Sequence, residues 1–285
     1  HNLDDDTDIT VAVSSSDTGE ASVTPATLTF TEDNWETPQT VTVTGVNDNN
    51  SDGHQDYDIS LSELVVPSKA LDFDGVNDYV ATASNISALD ITADITIASW
   101  ANISSKPSEW VRLIGKGNSS QRTYGLWIST SGKLLWQMWD PDGQQQVYSN
   151  TTLSTGAWYH ILATRSGNTV TIYVNGVADG TITYSGTPYS TSEPLTFGYG
   201  NNHAHFPGKL DEVAVWDKGL SAAEITTLYN SGGGLDASSN SGNYNSANNL
   251  VGYWKMDDGS GTSLTDSSSN SNTATMSNMS DADWV

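Results

Sequence analysis

Apolar and polar positions alternate with a period of two along most of the chain, the pattern of strands that bury one face. In residues 1–66 the alternation picks out Ile9, Val11 and Val13, then Leu28 and Phe30, Val41 and Val43, and finally Tyr57, Ile59 and Leu61. Each of these four strands is expected to bury one face. Pro25, Pro38, Gly45 and Gly53 punctuate the turns between them, and Pro67-Ser68 reads as a linker. From Lys69 the pattern continues through 95–100, 124–128, 133–139, 158–163, 170–174 and 210–216. Strands this numerous and regularly spaced require two packed sheets. Asn175-Gly176 between apolar runs predicts a two-residue hairpin turn. One helix is predicted over 221–229, opened by Ser221 with Glu224 three residues on as a capping box and closed by Gly232 to Gly234. Residues 235–249 are rich in Ser, Asn and Gly and read as a loop, and 250–256 reads as a further strand.

The fold class is therefore all-β with one short helix, and at 285 residues the chain has room for two domains, 1–66 and 67–285. The last 36 residues, 250–285, are too few for a core of their own. They dock on the preceding domain and close it, or they open a further module.

Charge narrows the partners. Ten Lys and Arg stand against 34 Asp and Glu, a net charge of −24, which repels nucleic acid and anionic lipid and attracts divalent cations. The acids are not a tail but short clusters in loops, such as Asp4-Asp5-Asp6 and Asp56-Tyr57-Asp58. The absence of cysteine excludes disulfides, thiolate catalysis and thiolate zinc sites. No apolar run is long enough to cross a membrane, so no membrane insertion is expected. The composition suits a secreted bacterial protein at the cell surface, with any signal peptide upstream or removed.

Residues 70–80 read ALDFDGVNDYV, and four further motifs follow in order: the strand 95–100 with Trp100, Trp158-Tyr159-His160 before the hairpin 170–177, GKLDEVAVW at 208–216, and Gly219-Leu220-Ser221. Together they resemble the laminin-G-like, pentraxin-like lectin modules of the concanavalin A-like fold over residues 70–232. The resemblance implies a two-sheet jelly-roll sandwich. The stretch 250–272, with Tyr253-Trp254 and Gly259-Ser260-Gly261, resembles the strand and turn that this family places before its opening strand; here it comes last. Residues 9–62 resemble the latter part of Calx-β-like adhesin repeats, calcium-associated Ig-like spacers. About four strands stand where an Ig-like sandwich has roughly seven, so this module is expected to be an incomplete Ig-like sandwich.

Three groups of residues are candidates for chemistry. Asp48, Asn50, Asp52 and Gly53 match the first half of an EF-hand loop, but its twelfth position is Ile59, so no bidentate Glu closes the cage. A looser calcium site at the domain junction and a plain solvated turn both remain open. Asp72, Asp74, Asn77 and Asp78 cluster around the turn at Gly75, and the family resemblance implies that Asp211, with Glu212 beside it, arrives at the same rim. Calcium there would relieve repulsion between the acids; the competing reading has these carboxylates accepting backbone hydrogen bonds. For glycan binding, the alternation in 134–139 places Leu134, Trp136 and Met138 on one face and Gln137 and Trp139 on the other. Trp127 opposes Leu126 and Ile128 in the same way, so Trp127, Gln137 and Trp139 form an expected solvent-facing platform. Asn201, Asn202, His203 and His205 add polar groups from a loop. Against this, Trp100, Trp158 and Trp216 are expected in the core, and Trp139 would then cap a sheet edge. His203 and His205 have no third ligand for a transition metal.

No strand carries the paired carboxylates of a retaining glucanase. The expected function is thus a calcium-dependent carbohydrate-binding or adhesion module that recognises a glycan or surface polysaccharide and is not an enzyme. The alternative is a structural subunit of a surface fibre or layer that self-associates by strand exchange through the N-terminal module. A glycan-active hydrolase or lyase ranks behind both.

Overall fold

The computed structural model describes residues 9–17, 19–25, 27–31, 34–47, 53, 55–63, 69–200 and 203–285. The chain divides into two units, one of residues 1–66 with 229–235 and one of 67–228 with 236–285.

In the first unit β1 (Ile9–Ser15) pairs antiparallel with β3 (Thr27–Phe30) and with β5 (Ile59–Glu63), and β2 (Ala21–Thr24) pairs with β4 (Thr42–Gly45). Its buried hydrophobic side chains, among the described residues, are Val13, Ala21 and Leu28. Here the expectation of one buried face per strand fails. All four residues of β4 are exposed, and so are Ile59 and Leu61 of β5. Alternation allows a strand to bury one face, but burial needs a layer to bury against. Sheets of two and three short strands offer little such area.

The second unit holds β6 (Leu71–Asp74), β7 (Tyr79–Thr82), β8 (Ile95–Ile103), β9 (Val111–Gly117), β10 (Arg122–Ile128), β11 (Lys133–Asp140), β12 (Gly143–Thr152), β13 (Trp158–Ser166), β14 (Thr169–Val174) and β15 (Val177–Thr183). There follow β16 (Leu195–Phe197), β17 (Pro207–Trp216), α1 (Ala222–Tyr229), β18 (Leu250–Trp254), β19 (Ser263–Leu264) and β20 (Ala274–Ser277). One sheet of eight strands runs β12-β11-β10-β9-β16-β7-β20-β19. The other runs β15-β14-β13-β8-β17-β18, with β6 also paired to β17. This is the two-sheet jelly-roll sandwich. Leu126, Ile128, Leu134, Trp136 and Met138 from the first sheet and Ile97, Ile161, Ala163, Ile172, Val213 and Val215 from the second belong to one buried cluster. Trp216 is buried outside that cluster and donates its indole N–H to the Tyr244 hydroxyl at 2.9 Å. Trp100 is also buried outside it, and Trp158, expected in the core, is only half-buried at the start of β13.

Residues 250–285 supply β18 to one sheet, beside β17, and β20 and β19 to the other, β20 beside β7 and β19 beside β20, and the Val285 backbone exchanges two hydrogen bonds with Ala70. The hairpin between β14 and β15 turns on Asn175 and Gly176, both at positive φ, 50° and 77°. That is the conformation which favours Asn-Gly. At the helix start the Ser221 hydroxyl and the Glu224 carboxylate exchange the expected capping-box bonds.

Candidate functional site

The face of the eight-stranded sheet that points away from the core carries a groove of about 330 Å³ across β10, β11 and β12. Its composition follows from strand parity. Leu134, Trp136 and Met138 take the core side, so Leu135, Gln137 and Trp139 take the other. A two-residue turn at Pro141-Asp142 sets the register in which Trp139 faces Gln144, Gln137 faces Gln146 and Leu135 faces Tyr148. These six residues, with Trp110, Arg122, Trp127 and His203, line the groove. The Trp110 and Tyr148 rings approach to 5.8 Å between centroids.

Trp127 does not lie as an open platform. It is 2% exposed, with the guanidinium carbons of Arg112 and Arg122 over its ring at 4.8 and 4.7 Å and the His203 ring edge-on at 5.0 Å. Glycines make this layer possible. Opposite Gln137 on the neighbouring strand is Gly125, where a Cβ would lie 2.7 Å from the Trp127 indole nitrogen. At Gly200 a Cβ would press on both Arg112 and Trp127. The indole therefore lies down on the sheet as the floor of the groove, and the aromatic groups left for stacking are Trp139, Trp110 and Tyr148. Burial pushes the Arg112 guanidinium down to about 9, with Arg122 adding to it, and burial also lowers Arg122. His203 is lowered by burial and by the neighbouring Arg122.

Three N–H donors of the groove have no acceptor: Trp127 Nε1, Trp139 Nε1 and Arg122 Nε. Buried donors are nearly always paired, and these three lie beneath the open surface of the groove, while Trp136 Nε1 in the core and Arg112 Nε are unpaired as well. Aromatic walls, primary amides and unpaired N–H groups together can stack on the C–H face of a ring and donate to its oxygens.

Of the residues singled out from the sequence, Trp127, Gln137, Trp139 and His203 come together in this groove. His205 does not. Its ring stacks on Tyr199 at 4.3 Å and its Nδ1 stands 3.0 Å from the Asp78 carbonyl, at the turn after β6. Asn201 and Asn202 lie outside the described residues, as do Asp48, Asn50 and Asp52. Sequence reasoning missed Arg122, Trp110, Gln144, Gln146 and Tyr148. The three on β12 were readable, since Pro141-Asp142-Gly143 predicts a tight hairpin that places 144, 146 and 148 beside 139, 137 and 135.

The acids of the expected calcium rim are differently occupied. Asp74 Oδ1 accepts from the backbone of Val76 and Asn77, and Asp78 Oδ2 accepts from the Asp74 N–H at 2.9 Å. Asn77 gives its carbonyl to the Asn278 amide. Asp72 pairs across the ladder with Lys209, and burial raises it. Asp211 and Glu212 sit where β6 gives way to β18 along β17, with Glu212 at a φ of 52°. Asp211 is 2% exposed, its Oδ1 has no partner, and burial with the neighbouring Glu212 and Asp257 pushes it up to about 9. Burial raises Glu212 to about 7 although it accepts a hydrogen bond from Tyr253. Among the described residues no three His, Asp or Glu side chains are grouped to hold a metal ion.

A family model described as the concanavalin A-like lectin/glucanases superfamily matches residues 74–226. No curated protein matches the chain. Among solved structures, a candidate carbohydrate-binding protein from Bacteroides ovatus ATCC 8483 aligns at 17% identity over 95% of this chain and 86% of its own, with a TM-score of 0.58. A heptameric SAP-like pentraxin from Limulus polyphemus aligns at 16% identity over 56% of this chain and 81% of its own, TM-score 0.45. Domain 4 of an extracellular arabinanase from Geobacillus stearothermophilus, solved with arabinotriose, aligns at 15% identity over 56% and 76%, TM-score 0.47. At such identities the likeness extends to the fold and no further.

Proposed function

Since the chain belongs to the concanavalin A-like lectin/glucanase superfamily, we propose that it is a glycan-binding module whose site is the groove on β10, β11 and β12, and that it binds without hydrolysis. The observation that carries this is the groove lining itself, in which the rings of Trp110, Trp139 and Tyr148 stand beside the amides of Gln137, Gln144 and Gln146. A protein of the same fold described as a candidate carbohydrate binder is consistent with it. The groove lining contains no Asp or Glu, whereas retaining glycoside hydrolysis uses two carboxylates about 5 Å apart. A glycan array on the intact chain, followed by calorimetry, tests the proposal. Trp139→Ala should weaken binding roughly tenfold, the order of one lost stacking contact, with little change in melting temperature. Retention of no oligosaccharide, or release of new reducing ends, would overturn it.

Calcium dependence and an extracellular, cell-surface setting complete the reading. Net charge supports calcium, and so does the unpartnered Oδ1 of the buried Asp211. Calcium takes 6–8 oxygens in flexible geometry, so an ion at Asp211 would draw on backbone carbonyls and water besides that carboxylate. Melts in calcium and in chelator should differ; superimposable curves would remove calcium from the proposal. For the N-terminal module we retain the Calx-β-like spacer reading. Its exposed Trp35, Tyr57 and Leu61 and its short open sheets favour a second role in self-association by strand exchange. Light scattering should then show concentration-dependent assembly, and a monodisperse monomer would exclude it.

A further inference from the structure

Arg122 is 7% exposed, and its side chain has no carboxylate partner among the described residues. Its Nη2 reaches only the His203 ring nitrogen, at 3.4 Å, and its Nε reaches nothing. Packing on Trp127 explains half of this arrangement. A cation–π contact uses the face of the guanidinium and leaves its in-plane N–H edge free, and that edge is the part that matches two anionic oxygens side by side. A second guanidinium, Arg112, shares the same indole, and its two Nη groups already bond Gly115, Gly117 and Thr196, while its Nε is unpaired. Two of the chain's ten Lys and Arg thus stand over one ring in a protein with 34 acids, at a groove whose lining includes none of those acids. The nearby carboxylate that bears on His203 is Glu109, which is exposed and outside the lining.

We infer that the groove takes an acidic sugar, whose carboxylate or sulfate oxygens lie against the free edge of Arg122 beside His203 while its ring packs on the aromatic wall that includes Trp139. This rests on the glycan-binding reading above and names the substrate class for it. The overall charge of −24 does not forbid such a ligand. Repulsion from distant carboxylates is screened beyond about 8 Å at physiological salt, and a buried contact pair is screened far less.

The test is calorimetry on the full chain with three length-matched probes: a neutral oligosaccharide, an oligouronate and a sulfated oligosaccharide. An acidic probe is expected to bind at least tenfold more tightly than the neutral one, and R122Q should lower the acidic-to-neutral affinity ratio at least tenfold. A uronate preference, a sulfate preference or both supports the inference and identifies the oxyanion. If R122Q melts early, R122K carries the test, because it keeps a cation at the indole but lacks the two-donor edge; it should lower the ratio as well. Equal affinity for neutral and acidic probes, or a parallel loss of both in the variants, would show that Arg122 only props Trp127, and would overturn the inference while leaving the glycan site standing. Failure of every probe to bind would overturn both.

Discussion

The two units share one kind of sequence and reach opposite outcomes. Residues 9–63 alternate apolar and polar positions as regularly as the strands of the sandwich, yet Trp35, Val43, Val46, Tyr57, Ile59 and Leu61 are exposed. In the sandwich the same alternation encloses Trp136, Phe197, Trp254 and their neighbours almost completely. The difference lies in what faces each strand. The eight- and seven-stranded sheets present inner faces to one another, so every inward side chain has a partner layer. Strands of four to seven residues in sheets of three and two enclose little volume, and surface-to-volume scaling makes small cores weak. Alternation thus specifies which residues can be buried together, and the number of strands decides whether they are.

Large-to-small substitution should divide the units most sharply. Trp254→Ala, fully buried in the sandwich core, should cost about 3–5 kcal/mol by chemical denaturation, whereas Trp35→Ala should fall within about 0.5 kcal/mol. A comparable loss at Trp35 would mean that its exposed ring is covered in solution. Hydrogen exchange sharpens the same contrast, since amides of β8, β13 and β17 in the middle of their sheet should be protected close to the global limit and those of β2 and β4 should exchange orders of magnitude faster.

A smaller effect should appear with pH. Asp211 and Glu212 hold protons up to about 9 and about 7, above the ordinary values near 4. Between those limits the native state binds more protons than the unfolded chain, so stability should fall as pH rises through the window. Asp211→Asn should flatten the slope, and calcium, if it binds there, should flatten it in the wild type. Glu224 has the opposite sign. Burial raises it, but hydrogen bonds from Ser246 and Ser221 and the nearby Lys218 outweigh that and hold it at about 2. Its contribution is present above its ordinary value and disappears as pH falls towards 2. Removing the Ser221 cap as Ser221→Ala should cost about 1 kcal/mol. A change of similar size is expected for Asn175→Ala, where an alanine must adopt positive φ in the hairpin turn and the His160 N–H loses the Asn175 Oδ1 acceptor, at a cost of about 1–2 kcal/mol.

Period-two alternation, the Asn175-Gly176 turn and the Ser221/Glu224 capping box are local features, and each specifies its element because the governing interactions act within a few residues. They sufficed for the all-β class, the hairpin, the helix and the side of β11 on which Gln137 and Trp139 emerge. Tertiary structure decided the rest. Trp127 has the parity of a surface residue but lies buried, because Arg112, Arg122, His203 and the glycines at 125 and 200 converge on it from elements up to about 90 positions apart in the chain. His203 and His205, two residues apart, serve different neighbourhoods: the first lines the groove and the second stands beside the Asp78 carbonyl. Whether residues 250–285 close the sandwich was open in the sequence, since a strand's pattern does not name its partner; β18 and β20 have theirs in β17 and β7, at positions far from them in the chain.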